Sequence, residues 1–253
     1  MKEKTKAKII SFGFTEGSSV RLSSYDLRLD ESGKPVGIWF KVHQGINTFV
    51  PVVLNGVLGP SHVFAAGAAM AVAGLFNINL IEASQALADY RGPKSRMRIL
   101  KGIKNTVIID DTYNSSPAAA HLAVETLIAL PAKRKIFITG DMLELGDYTI
   151  KAHQGLGNLA GGRVDILVCV GSRSKFVADA ASNQMLKSNI YLFETSDLAK
   201  KKVQELLEEG DTVLIKGSQS MYMEKIVEEI MAEPERKNEL LARQGRKWLE
   251  KKK

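Results

Sequence analysis

The chain has 253 residues, 45% of them hydrophobic and 25% charged, which is a globular composition with enough apolar material for one large core or two smaller ones. Its net charge of +7 sits in the two ends, +3 over residues 2–8 and +5 over residues 235–253, so the body carries −1 and has no basic stripe with interleaved aromatics that would suit nucleic acid. A lone cysteine, Cys169, rules out an internal disulfide, the start lacks the apolar core of a secretory signal, and the longest apolar stretch, "VFAAGAAMAVAGLF", is shorter than the roughly 18 residues of a membrane span, so a reduced, cytoplasmic setting is expected.

The first third reads as short alternating strands, "KIISFG", "SVRLSSYDLRLD", "PVGIWFKVHQG" and "INTFVPVVLNG", separated by turn signals such as residues 30–34. Two helices follow, "SHVFAAGAAMAVAGLF", with Ser61 as its expected cap, and "NLIEASQALADY". The Gly/Pro-containing basic stretch "RGPKSRMR" then breaks the pattern and is the expected hinge, giving domains 1–92 and 93–253. After it, apolar runs alternate with amphipathic segments: strand "NTVIID", helix 117–129, strand "KIFITG", helix 150–160, strand "DILVCVG", a helix from Lys175, strand "IYLFE", helix 197–208, strand "TVLIKG" and helix 221–231. Continuous apolar strands between helices predict an α/β fold, a Rossmann-like, doubly wound and mostly parallel sheet buried on both faces. Residues 235–253 are expected to add one exposed basic helix, docked by Leu240, Leu241 and Trp248.

In such sheets ligands bind beyond the carboxyl ends of the strands, where loops converge and helix N-termini present unpaired N–H groups. Four polar loops occupy that position. "DDTYNSSP" places Asp110 and Asp111 at a strand end; Ser115 or Ser116 and Pro117 suit a helix start, but capping does not account for an acidic pair, at least one member of which should meet a cation, a ribose hydroxyl or a basic side chain. "GDMLELGD" carries Asp141, Glu144 and Asp147 without a full calcium-loop pattern, so a solvated loop competes with a metal site, and His153 beyond it reads as a core or surface residue. "VGSRSKF" and "KGSQSMYMEK" both place Gly-Ser-X-Ser between strand and helix, which suits an anion or a simple turn with a cap. A P-loop, a dinucleotide fingerprint, zinc spacing and G-x-S-x-G are all lacking in the sequence.

Taken in order, "IIDDTYNSSP", "GDMLELGDYTIKAH" and "DTVLIKGSQSMYMEKIV" resemble the carboxyl-terminal domain of the Mur ligases, most nearly the branch that adds D-alanyl-D-alanine to UDP-N-acetylmuramoyl-tripeptide. Upstream, "LGPSHVFAAGAAMAVAG" and "YRGPKSRMRIL" resemble that family's central-domain and hinge segments. The resemblance implies an ATP- and Mg2+-dependent amide ligase of peptidoglycan precursor synthesis working through an acyl phosphate, with residues 1–92 the latter part of the central ATPase domain. It implies that Arg96 reaches the ATP phosphates and that Asp111 contacts the nucleotide, with Tyr113 and Asn114 in the same motif and Asp110 structural. His62 stands where the family has an adenine-contacting asparagine. Lys216, Gly217 and Ser218 match the loop near the dipeptide, with Gln219 replacing the usual arginine. The family's P-loop, magnesium ligands and modified lysine would all lie upstream of residue 1. The chain is therefore expected to supply the closing half of a site, inactive without a separately encoded amino-terminal partner. Two alternatives remain: a noncatalytic Rossmann-like ligand-binding or interaction module, and another Mur or folylpolyglutamate-type ligase.

Overall fold

The computed structural model describes residues 5–45, 48–245 and 248. They form two compact units, Met1–Asp30 with Val36–Gly92, and Glu31–Pro35 with Pro93–Lys253.

The first unit is a four-stranded sheet in the order β1 (Phe12–Gly13), β2 (Val20–Leu29), β3 (Pro35–Gln44), β4 (Phe49–Asn55), against which α1 (Pro60–Leu75) and α2 (Leu80–Leu87) pack. β1 runs parallel to β2, and β3 antiparallel to β4. Period-2 alternation puts Ile38, Phe40, Val42, Val52 and Leu54 on one fully buried face. Helix α1 lies close to the sheet because Gly67 has no side chain; a Cβ there would stand 3.0 Å from Leu22 Cδ1. Its cap differs from expectation: Pro60 already occupies the first turn, where its missing N–H costs nothing, so Gly59 takes the cap position and Ser61 lies inside the helix. In α2 the cap is Asn79, whose Oδ1 accepts from the N–H groups of Ile81 and Glu82, both at 3.0 Å.

The second unit is a six-stranded sheet in the order β5 (Arg98–Lys101), β6 (Val107–Asp111), β10 (Thr212–Lys216), β7 (Lys135–Gly140), β8 (Ile166–Val170), β9 (Ile190–Phe193). Every pairing is parallel except that of β5 with β6. The helices are α3 (Pro117–Ala129), α4 (Thr149–Ala160), α5 (Lys175–Ala181), α6 (Ser196–Leu206), α7 (Glu224–Ile230) and the single turn α8 (Lys237–Leu240). Ile108, Ile136, Ile138, Val168, Val213 and Ile215 form one apolar layer with Ala199 and Val203 of α6 and with Ile226, Val227 and Ile230 of α7. The residues between them, Ile109, Phe137, Leu167, Cys169 and Leu214, are fully buried on the opposite face, where α3, α4 and α5 pack. These strands are thus apolar throughout because both faces are covered. At the amino-terminal edge Arg134 closes the sheet with a two-pronged bond to Asp211, Nε to Oδ1 at 2.9 Å and Nη2 to Oδ2 at 2.7 Å.

The units part at Gly92 and Pro93, within the basic stretch of residues 91–98, and β5, whose "RILK" is too short and too charged to stand out from its surroundings, begins at the last residue of that stretch. Of the tail helix expected over residues 235–253, residues 235–245 show the single turn α8 with Leu240 and Leu241 buried as expected, but the segment is less exposed than its charge suggests: Arg243 is 7% exposed, Lys237 pairs with Glu228, and Arg236 pairs with Glu233 and Glu239; residues 246, 247 and 249–253 lie outside the described residues. Among the described residues no helix is long and apolar enough to cross a membrane.

Candidate functional site

The chain runs β6, β7, β8, β9 outward with α3, α4 and α5 on one face, then returns through α6 on the other face to insert β10 between β6 and β7. The loop after β10 therefore leads to one face, and those after β6 and β7 to the other. Diverging loops open a crevice at the carboxyl ends of these strands. A cavity of about 540 Å³ lies there, lined by Asn114, Ser115 and Ser116 after β6, by Leu143, Glu144 and Leu145 after β7, and by Ser218, Gln219, Ser220 and Tyr222 after β10, with Trp248 completing the wall.

The three loops are bonded to one another. Ser218 N–H donates to Asp141 O at 3.0 Å, and Leu143 N–H donates to Ser218 Oγ at 2.9 Å. A Cβ on Gly217 would come within 3.1 Å of Gly140 Cα and 2.7 Å of Met223 Cγ, so only glycine permits this approach. Asp141 Oδ1 accepts from the N–H groups of Arg173 (3.0 Å) and Ser174 (2.7 Å) and from Ser174 Oγ (2.9 Å), tying in the loop after β8. That fourth loop opens instead onto a neighbouring cavity of about 630 Å³ bounded by Gly171, Ser172, Lys175 and Phe193. His153 is a core residue: its Nε2 accepts from Met142 N–H at 3.0 Å while Nδ1 faces Thr149 O at 2.7 Å, which assigns the proton to Nδ1. Among the described residues no group of three His, Cys, Asp or Glu side chains is placed to hold a metal ion.

The acidic pair divides its roles. Asp110 is wholly buried and accepts from Ser95 Oγ (2.8 Å), Thr112 Oγ1 (2.7 Å) and Thr112 N–H (3.2 Å). Burial outweighs these bonds and pushes its carboxyl up to about 6. Asp111 stands on the opposite face of β6, where Lys216 Nζ donates to its Oδ2 at 2.6 Å and Met97 N–H to its Oδ1 at 3.2 Å. Burial raises this carboxyl too, against the pull of the Lys216 ammonium. Lys216 also donates to Asn114 O at 2.9 Å, so the cation braces the loop from behind the cavity.

Of the other residues singled out in the sequence, Arg96 and Tyr113 meet at the exposed side of the loop, with the guanidinium carbon 4.2 Å from the ring centre. Asn114, Ser218 and Gln219 line the cavity, and Gly217 sits beneath it. His62 belongs to the first unit, buried against Tyr90 with Nδ1 and the phenol oxygen 2.9 Å apart. Ser116 holds the cap position of α3, but its side chain makes no capping bond, and Ser115 Oγ is buried with no hydrogen-bond partner among the described residues. Sequence reasoning missed Arg243 and Glu224, which pair with Nη2 and Oε2 2.5 Å apart. Glu224 opens α7 as an ordinary first-turn acid and Arg243 falls among the basic residues of the tail, so neither stands out in the sequence.

Residues 95–219 match the family described as Mur ligase, glutamate ligase domain. The chain is 30% identical over 216 residues to the UDP-N-acetylmuramoyl-tripeptide--D-alanyl-D-alanine ligase of Bacillus subtilis, covering 84% of this chain and 46% of that protein. Among solved structures it is similar to MurF from Acinetobacter baumannii, with a TM-score of 0.72 and 27% identity over 87% of this chain and 46% of that one. MurF ligase from Thermotoga maritima, solved in complex with ADP, shares the fold at a TM-score of 0.69 and 21% identity, over 89% of this chain and 49% of that one. The chain thus spans about half the length of the relatives it matches.

Proposed function

The chain carries a Mur ligase domain over residues 95–219, and from that premise we propose that it supplies the closing half of an ATP-dependent ligase joining D-alanyl-D-alanine to UDP-N-acetylmuramoyl-tripeptide in peptidoglycan precursor synthesis. The observation that carries this reading is the cavity itself. Its three walls are the loops that bear "DDTYNSSP", "GDMLELG" and "KGSQSM", brought together from positions more than a hundred residues apart.

On this reading residues 1–92 are the latter part of the central ATPase domain and residues 93–253 the carboxyl-terminal domain, acting in the cytoplasm where ATP is found. Exposed apolar residues on the first unit, Leu75 (56%), Phe76 (74%) and Ile81 (61%), fit a unit completed by further polypeptide that carries the P-loop. In the reaction a carboxylate oxygen of the tripeptide takes the γ-phosphoryl group of ATP, the dipeptide amine adds to the resulting acyl carbon and loses a proton, and phosphate departs. ATP with Mg2+ supplies the activation of the carboxylate. This chain's residues bind and orient. Arg96 is exposed and held by Tyr113, which suits a contact to phosphate oxygens. Asp111, with both oxygens engaged, acts mainly by fixing Lys216 and the loop rather than as a free ligand for the nucleotide. Asn114, Ser115, Ser218 and Gln219 offer hydroxyl and carboxamide groups to a dipeptide, and the buried Ser115 Oγ has no acceptor or donor among the described residues. Glu144 is the carboxylate on the lining, an attractive partner for the dipeptide ammonium. His62 would meet adenine only through a ring nitrogen, one bond where a carboxamide makes two. The magnesium ligands fall to the part that bears the P-loop.

The test is a titration of D-alanyl-D-alanine and a nonhydrolysable ATP analogue into the chain, with and without such an amino-terminal half. Binding of both in its presence supports the ligase. Binding of neither under either condition favours a noncatalytic module.

A further inference from the structure

Three consecutive main-chain carbonyls after β6 point at buried cations. Thr112 O accepts from Arg243 Nη2 at 2.6 Å, Tyr113 O from Arg243 Nη1 at 2.9 Å, and Asn114 O from Lys216 Nζ at 2.9 Å. The same Arg243 fork binds Glu224 in the first turn of α7, through Nε at 3.2 Å and Nη2 at 2.5 Å, and neither side chain reaches solvent to any extent. Glu224 follows the loop after β10, so one guanidinium joins two loops that face each other across the cavity. The residue before it helps: Ala242 N–H donates to Ser95 Oγ at 3.2 Å, while Ser95 O takes the N–H of Tyr113 at 3.0 Å.

We propose that Arg243 is a positioning residue for this site, gripping the Thr112–Tyr113 main chain so that Tyr113 is presented to Arg96 and Asn114 to the cavity. The ring of Tyr113 lies 4.2 Å from the Arg96 guanidinium carbon and 5.9 Å from that of Arg243, so both arginines stand against the same ring. A turn whose carbonyls were free would rotate its peptide planes and carry Asn114 and Ser115 with them. Only a planar fork with five donors can serve two carbonyls and a carboxylate at once; a lysine ammonium brings the charge without that geometry. The carboxyl-terminal segment is on this view part of the site, and Trp248 on the cavity wall lies five residues further along it. The identity of the ligand rests on the function proposed above; the positioning does not.

The test compares wild type with Arg243→Lys and Arg243→Met by amide hydrogen exchange and by dipeptide affinity measured with the amino-terminal half present. In both variants exchange at Thr112 and Tyr113 should accelerate at least about tenfold while Leu167, Val168 and Cys169 in β8 hold their rates, and affinity for D-alanyl-D-alanine should fall about tenfold. Unchanged exchange at 112–113, equal acceleration in β8, or full rescue by lysine would overturn the proposal. Should both variants fail to fold, Glu224→Gln, which keeps an acceptor but removes the counter-charge, is read by the same exchange comparison. A local exchange effect with no dipeptide binding by wild type would keep the positioning role and sink the ligase reading.

Discussion

Asp111 and Lys216 are register partners on the parallel strands β6 and β10, and their side chains meet as an ion pair with both members almost wholly buried. The pair is 105 positions apart in sequence and holds the one place where the chain's first and last parallel strands of the second unit lie side by side. Taking one charge away leaves the other stranded in a low-dielectric interior. Lys216→Met should therefore cost about 3–5 kcal/mol in urea denaturation, whereas adding Asp111→Asn to it should recover a large part of that loss. Additive effects of the two substitutions would show that the charges are not coupled.

Asp110 gives the unit a pH dependence of definite sign. Its folded value of about 6 lies above the ordinary 3.8, because burial disfavours the carboxylate. Between these values the folded chain holds a proton that the unfolded chain has released, so this stabilisation is complete below about pH 4 and lost as pH rises through about 6. The displacement corresponds to about 3 kcal/mol. Asp110→Asn cannot titrate, and its stability should fall less than that of wild type over this interval. Parallel stability curves for the two proteins would contradict the assignment.

Two glycines in one helix should respond in opposite directions. On Gly157 of α4 an added Cβ would sit 2.2 Å from Val177 O and 2.8 Å from Ala180 Cβ, so α4 and α5 must move apart, and Gly157→Ala should destabilise by about 1–3 kcal/mol. On Gly155 the nearest atom is His121 Nε2 at 3.5 Å, an ordinary contact, and Gly155→Ala should stabilise by about 0.5–1 kcal/mol through helix propensity. A thermal melt of Gly157→Ala that is unshifted or raised would show that α4 and α5 are not packed this closely, and a lowered melt of Gly155→Ala would show that its contact with His121 is tighter than an ordinary one.

What the sequence makes legible is local. Helix α3 runs Pro117–Ala129 as its spacing predicts, and the apolar runs of β6, β7, β8 and β10 are strands covered on both faces. Sheet order is a different matter. A strand buried on both faces reads the same whichever neighbours it has, so nothing in "TVLIK" tells that β10 enters between β6 and β7 and so creates the crevice. The acidic pair shows the same divide. That one carboxylate needs a cation follows from electrostatics, but that the cation is Lys216 follows only from register. Arg243 was hidden because charge counting assigns a basic tail to solvent, while its partners, two carbonyls and a glutamate, lie 131, 130 and 19 positions away. Ser115 and Ser116 read as caps, and the structure leaves both hydroxyls free of that task, which turns a helix-start signal into a feature of the cavity.

The most direct measurement is the initial rate of phosphate release from ATP with UDP-N-acetylmuramoyl-tripeptide and D-alanyl-D-alanine, using this chain and a P-loop-bearing amino-terminal half separately and together. Release should require both polypeptides and the dipeptide, and should fall at least about tenfold when Asp111→Ala loosens Lys216 and the loop it braces. Dipeptide-dependent release by this chain alone, or release by the pair that is indifferent to Asp111→Ala, would contradict the proposed function.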